Sequence, residues 1–273
     1  MSTQQEKAAR FRALHDADGA FLIPNPWDVG SARILAGLGF HALATSSAAS
    51  AAALGKKDGE LTRDEALEHA RQIVAATDLP VSADLEKGFG DAPETVAETV
   101  RLAAAAGLVG CTIEDTTGNP ASPLYDSTLA VERIAAAVEA AHALPFPFIL
   151  TARAHNLLFA GASLDATIRR LQSFEAAGAD VLFAPGLPDL AAVRETCAAL
   201  SKPFNFMVGI KGKSFSVEEL AAAGVKRISL ATSLYRAAMT GFLDAVREVT
   251  GPGTFTFLDR SVNTPDLIQL MRS

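Results

Sequence analysis

Cysteine, tryptophan and tyrosine are scarce in this 273-residue chain, with two, one and two copies respectively. Cys111 and Cys197 stand far apart, without metal-type or redox spacing, so the sequence predicts reduced packing residues in a cytoplasmic protein and excludes a disulfide framework. Basic charge is also short: 24 Lys and Arg face 31 Asp and Glu, a net charge of −7. No basic stripe stands out, so no nucleic-acid partner is expected. The opening MSTQQEKAARFRALHDADGA has no apolar signal core, and no apolar run reaches membrane-spanning length. Neither secretion nor a membrane partner is expected. Four of the five histidines show no ligand spacing, and no Gly-rich dinucleotide fingerprint follows the first apolar stretch.

What is present is core material: 49% of residues are hydrophobic and 20% charged, a globular profile. One unit recurs, an alanine-rich helix, a glycine near its end and a short apolar strand, as in LAGLGFHALAT, AAAAGLVGCTIED, EAAGADVLFAP and AAAGVKRISLA. Glycine takes the left-handed turn that ends each helix and feeds the chain into a sheet. Strands are predicted near 20–25, 40–45, 80–84, 108–114, 147–153, 180–184, 203–208 and 225–231, and helices over 62–77, 93–106, 129–143, 163–177 and 217–223. Thr62 and Glu65 have the spacing of a capping box. Runs such as PFPFILTA are apolar throughout, as in a parallel sheet buried on both faces. Eight alternations predict an α/β fold, a closed (β/α)8 TIM barrel. It is read as one domain over 1–273, with the barrel at about 20–250 and an extra C-terminal helical segment at 251–273. An open doubly wound sheet is the runner-up. The tail carries apolar residues suited to packing on this barrel or on a neighbouring subunit.

The chemistry centres on residues 81–91, VSADLEKGFGD. Side chains two apart on a strand point the same way, so Asp84 and Glu86 face one point at the strand's mouth. The next strand delivers Glu114 and Asp115. Carboxylates so gathered normally hold a cation or a proton, and an all-oxygen set favours a hard ion such as Mg²⁺. Solvated loop acids are the alternative on this stretch alone. Barrels build their sites at the carboxyl ends of the strands. There the chain also delivers Asn25, Thr45, Ser46, Ser47, Arg153 and Asn205. Arg153 suits a substrate carboxylate, and the small residues Ser46, Ser47 and Ala48 leave backbone N–H groups open to an anion. His155 reads first as a surface or packing histidine, with proton transfer the alternative.

The motifs PNPWDVGSARILAGLGFHALATSS, GKKDG, ADLEKGFG, GCTIED, TARAHN, PFNFMV and GVKRISLATSLYRAA occur in order. Through them the chain resembles the isocitrate lyase/phosphoenolpyruvate mutase superfamily from about residue 10 to 250. The resemblance implies a (β/α)8 barrel, usually a tetramer with its terminal helix exchanged between paired subunits. A homo-oligomer, dimer or tetramer, is therefore expected. It further implies Mg²⁺, with Mn²⁺ as a substitute, and substrates that are 2-oxo or 2-hydroxy acids. Carried over by residue, Asp84 corresponds to the principal metal ligand, with Glu86 and Glu114 as mostly water-mediated partners. Thr45, Ser46, Ser47, Ala48, Arg153 and Asn205 match substrate-binding positions, and Asp58 the acid beside the reacting group.

Carbon–carbon lyases of the family carry a lysine- and cysteine-rich loop after the fourth strand. Here 116–126 reads TTGNPASPLYD, with neither residue, which argues against isocitrate or methylisocitrate cleavage. The expected function is a Mg²⁺-dependent carbon–carbon lyase or decarboxylase of a small 2-oxo or 2-hydroxy dicarboxylic acid. The alternatives are a P–C bond enzyme of the phosphonopyruvate hydrolase or phosphoenolpyruvate mutase kind, and a catalytically weak 2-oxoacid-binding protein.

Overall fold

A computed structural model describes residues 2–213 and 215–271. Eight short strands, β1 (Phe21–Ile23), β2 (Leu43–Ala44), β3 (Val81–Asp84), β4 (Gly110–Glu114), β5 (Ile149–Arg153), β6 (Val181–Phe183), β7 (Phe204–Met207) and β8 (Arg227–Ser229), run parallel in the order 1-8-7-6-5-4-3-2. The seam between β1 and β2 is held by the Ala44 N–H, which donates to the Pro24 carbonyl at 3.1 Å. Asn25 staples it: its amide donates to Thr45 O at 3.0 Å and its oxygen accepts from Leu230 N–H at 2.9 Å. The side chain expected at the site is thus spent on barrel closure.

Helices wrap the sheet at α1 (Gln4–Asp16), α2 (Val29–Gly37), α3 (Ser47–Ala53), α4 (Arg63–Ala76), α5 (Pro93–Ala105), α6 (Ser127–His142), α7 (Leu164–Ala176), α8 (Leu190–Ala198) and α9 (Val217–Ala222). The Thr62–Glu65 capping box forms as its spacing predicts. Strand alternation separates two environments. Val81, Ala83, Cys111, Ile113, Leu150 and Ala152 pack outward in the main core, whereas Ser82, Asp84 and Thr112 line the interior. At the opposite end α1, which the sequence reading did not anticipate, plugs the barrel with Phe11 against Ile23, Val109, Ile149 and Val181. Cys111 is fully buried and Cys197 half-buried, both free thiols. Burial pushes the Cys111 thiol up and that of Cys197 to about 12.

The last barrel helix and the tail leave apolar side chains exposed. In α10 (Ser233–Thr250) no residue is buried, and α11 (Thr264–Leu270) touches only the flank at α2 among the larger helix contacts. Phe242, Phe255, Leu258 and Val262 are each about 60% exposed.

Candidate active site

Lateral register builds the site. Asp84 on β3 pairs with Thr112, two residues before Glu114 on β4, and Glu114 pairs with Arg153 on β5. All three side chains therefore rise on the inner face at the carboxyl ends of neighbouring strands. Arg153 Nη1 lies 3.2 Å from Glu114 Oε2 and 3.8 Å from Asp84 Oδ2, and its guanidinium rests on the Phe183 ring at 5.0 Å.

Each acid is held from a second side. The Ser47 hydroxyl donates to Asp84 Oδ2 at 3.2 Å, and the Asp84 N–H donates to Thr45 Oγ1 at 3.2 Å. The Thr116 hydroxyl donates to Glu114 Oε1 at 2.6 Å. His155 Nδ1 stands 3.2 Å from Glu114 Oε2. The Glu86 N–H donates to Asp84 Oδ1 at 3.2 Å, and its φ of 51° is a left-handed conformation that a non-glycine residue adopts only under constraint.

The electrostatics divide the cluster. Burial pushes the Asp84 carboxyl up, and the nearby Glu114 and Asp58 charges add to this against the opposing pull of Arg153. Burial also penalises the Glu114 charge, but Arg153, His155 and Thr116 outweigh it and hold the group at about 2. Burial, then the charges of Asp84, Asp58 and Glu114, push Glu86 up to about 7. Asp84 and Glu114 thus share one guanidinium, with Glu86 and Asp58 near enough to add their charge, an arrangement that a divalent cation would neutralise. Among the described residues no three His, Cys, Asp or Glu side chains close directly on one point. The donors still fit Mg²⁺, because that ion keeps several waters and takes only one or two carboxylates directly.

Two cavities meet here. The inner one, of about 200 Å³, runs down into the barrel, and Thr45, Ser46, Ser47, Ala48, Asp84 and Asn205 line it. The outer one, of about 360 Å³, is bounded by Glu86, Glu114, His155 and the 116–123 stretch. Ser47, Asp58 and Arg153 border both. Every predicted site residue except Asp115 therefore borders one or both of these cavities. Ser46, Ser47 and Ala48 are not a loop, however: Ser46 caps α3 and the other two open its first turn.

Other residues took roles the letters did not declare. Asp115 turns outward and is buried, accepting from Arg170 and from the His155 N–H at 2.9 Å. Lys87 points away from the acids, donating to Asp91 at 2.9 Å and to Thr117 O at 2.8 Å. His155, read from sequence first as a packing or surface side chain, faces the outer cavity. Arg227 was singled out by no motif and lies in the inner cavity wall; the signal available was an arginine inside an apolar barrel strand, RIS.

Comparison with known proteins fits this geometry. The family model for phosphoenolpyruvate phosphomutase matches residues 11–250. The oxaloacetate decarboxylase of Ectopseudomonas mendocina (strain ymp) is 32% identical over 257 residues, 92% of this chain and 87% of that protein. The 2-methylisocitrate lyase of Escherichia coli (strain K12) is 31% identical over 237 residues, 83% of this chain and 79% of that protein. A crystal structure from Burkholderia cenocepacia J2315, provisionally described as a lyase/mutase, superposes with a TM-score of 0.96 at 52% identity, covering 99% of this chain and 97% of that one.

Proposed function

The chain belongs to the phosphoenolpyruvate phosphomutase family, and from that membership we propose that it is a Mg²⁺-dependent carbon–carbon lyase or decarboxylase of a small 2-oxo or 2-hydroxy dicarboxylic acid. The observation that carries this reading is the meeting of Asp84 and Glu114 on one nitrogen of Arg153, at the mouth of a polar cavity. Cleaving a bond beside a carbonyl leaves a pyruvate-type enolate, so negative charge grows on the carbonyl oxygen. Bound Mg²⁺, or Mn²⁺ in its place, supplies Lewis-acid stabilisation of that charge. Asp84 would hold the ion, with Glu86 and Glu114 reaching it through water.

The remaining work falls to the chain's own groups. Arg153 grips a substrate carboxylate with parallel N–H donors. Thr45, Ser46, Ser47 and Ala48 frame that end of the ligand, and Asp58 is the acid beside the reacting group. The 116–126 loop walls the outer cavity. The enzyme is read as a cytoplasmic homo-oligomer, dimer or tetramer, in which α10 and the tail dock on a second copy. The exposed apolar side chains there support that reading.

P–C bond chemistry is one alternative; a catalytically weak 2-oxoacid-binding protein is the other, favoured by the absence of Cys and Lys from 116–126. Calorimetry with oxalate tests the site: binding should need Mg²⁺, and equal affinity without it would overturn the metal assignment. Pyruvate release from oxaloacetate, alkylmalates and phosphonopyruvate separates the reactions. Tight oxoacid binding with no pyruvate, phosphoenolpyruvate or oxalate formed from any of them would instead indicate a binding protein.

A further inference from the structure

Arg227 is a buried cation without a counter-ion. It opens β8 facing the barrel interior and is 4% exposed. Its Nε donates to Asn205 Oδ1 at 2.7 Å, and the Asn205 amide in turn donates to Ser229 Oγ at 3.1 Å. Nη1 is buried and has no partner. The other inward or buried arginines have acceptors that offset their charge, although Arg153 Nε is also buried without a partner. Arg133 donates to the carbonyls of Gly90, Asp91 and Lys87, Arg153 meets two carboxylates, and Arg170 meets Asp115. Among the described residues no carboxylate lies within ion-pair distance of Arg227. Burial pushes its pKa down to about 9, which still leaves it charged at neutral pH.

A guanidinium buried without a counter-ion is costly to hold. The cavity it borders explains its presence. Ala44, Ser82 and Thr112, all small, leave the barrel centre open, and the same cavity has Asp84 and Arg153 at its mouth. Its volume of about 200 Å³ equals roughly seven liquid waters, room for a four- or five-carbon acid.

We propose that Arg227 anchors a second anionic group of the substrate at the cavity floor, so that the site selects small acids charged at both ends. Asn205 is the positioning residue, holding Nε and so fixing the guanidinium plane in the cavity wall. The anchor rests on the reading of the mouth as the end that takes the 2-oxo or 2-hydroxy acid head. It adds that the distal group is a carboxylate, received by paired N–H donors.

The test compares ligands differing only in that group, by calorimetry with Mg²⁺: malate against 2-hydroxybutyrate, and 2-oxoglutarate against 2-oxopentanoate. Oxalate, too short to reach the floor, reports on the mouth alone. The wild type should bind at least one diacid ten or more times more tightly than its methyl-ended partner. Arg227→Met should bring that ratio to about one and leave oxalate affinity within twofold. Arg227→Lys, which keeps the charge but not the fork, should fall between, and serves if the methionine variant does not melt cooperatively. Equal binding of both members of each pair by a wild type that binds oxalate would overturn the anchor and spare the mouth. A ratio surviving in Arg227→Met, or a variant weakened equally for every ligand including oxalate, would overturn it too. If the wild type binds no oxalate, the mouth reading fails and takes the anchor with it. A preference for phosphonopyruvate over both diacids, lost in the variant, would keep Arg227 as an anion anchor and overturn the carboxylate as the group it takes.

Discussion

Asp84 and Glu114 approach the same nitrogen: Arg153 Nη1 is 3.8 Å from a carboxylate oxygen of the first and 3.2 Å from one of the second. They come from adjacent strands, β3 and β4, on the same face of the sheet. Two like charges held that near raise each other's cost of ionisation unless a cation stands between them. The guanidinium supplies one such charge, and the arrangement has room at its open side for another.

Asp84→Ala should therefore cut turnover by roughly 100-fold or more, the usual scale for losing a main electrostatic contact in a reaction centre. It should also remove the Mg²⁺ dependence of oxalate binding. The thermal midpoint should not fall, because burial already disfavours this charge in the fold. A pyruvate-release assay beside a melting curve checks both halves. Wild-type turnover in the variant would remove Asp84 from the reaction.

Lys87 ties the turn after β3 to the loop over the outer cavity through Thr117 O at 2.8 Å. In Lys87→Ala that tether is lost while the acids stay in place. KM should rise about three- to tenfold, the net worth of one hydrogen bond at a solvated site, with kcat changed less. Hydrogen exchange over 116–126 should quicken. Unchanged exchange there would mean the loop is held by other contacts.

His15 makes stability fall in acid. Its Nδ1 bonds the Phe11 carbonyl at 2.8 Å, Nε2 has no partner, and the ring sits edge-on to Phe11 and Phe21. Burial, then the Arg227 charge, depress its pKa from 6.5 to about 3. Folded His15 thus stays neutral where the unfolded chain takes up a proton. This contribution is complete above pH 6.5 and is lost as pH falls from there towards 3, costing about 2–3 kcal/mol near pH 4.5. Urea unfolding of wild type and His15→Leu at about pH 7 and 4.5 should show the gap narrowing or reversing in acid. Parallel loss in both proteins would exonerate His15.

The apolar side chains left open on α10 and the tail predict self-association. Phe255 and Leu258, 60% and 61% exposed, should be covered in the oligomer. Phe255→Glu with Leu258→Glu should shift the mass in solution to a lower assembly, since burying carboxylates in an apolar interface without partners is costly. Light scattering on a sizing column reads this directly. An unchanged mass would place the contact elsewhere.

Local patterns carried much of this molecule. The eight strands lie within the predicted stretches, although each is shorter, and β2 shrinks from a predicted six residues at 40–45 to Leu43–Ala44. Helix starts were legible where a side chain declares them, as Thr62 does, because capping is a contact over three residues. Period-two alternation predicted that Asp84 and Glu86 share a strand face, but β3 ends at Asp84 and Glu86 lies beyond it in a left-handed turn, reaching the outer cavity by that route. Tertiary structure decided what depends on partners distant in sequence. Ser47 and Thr45 brace Asp84 across 37 and 39 residues. His155 meets Glu114 only because β4 and β5 pair. Asn25 closes the seam because Thr45 and Leu230 both arrive beside it. Arg227 and Asn205 become cavity residues only once the sheet curls, since a strand's letters separate its two faces without saying which one a barrel will enclose.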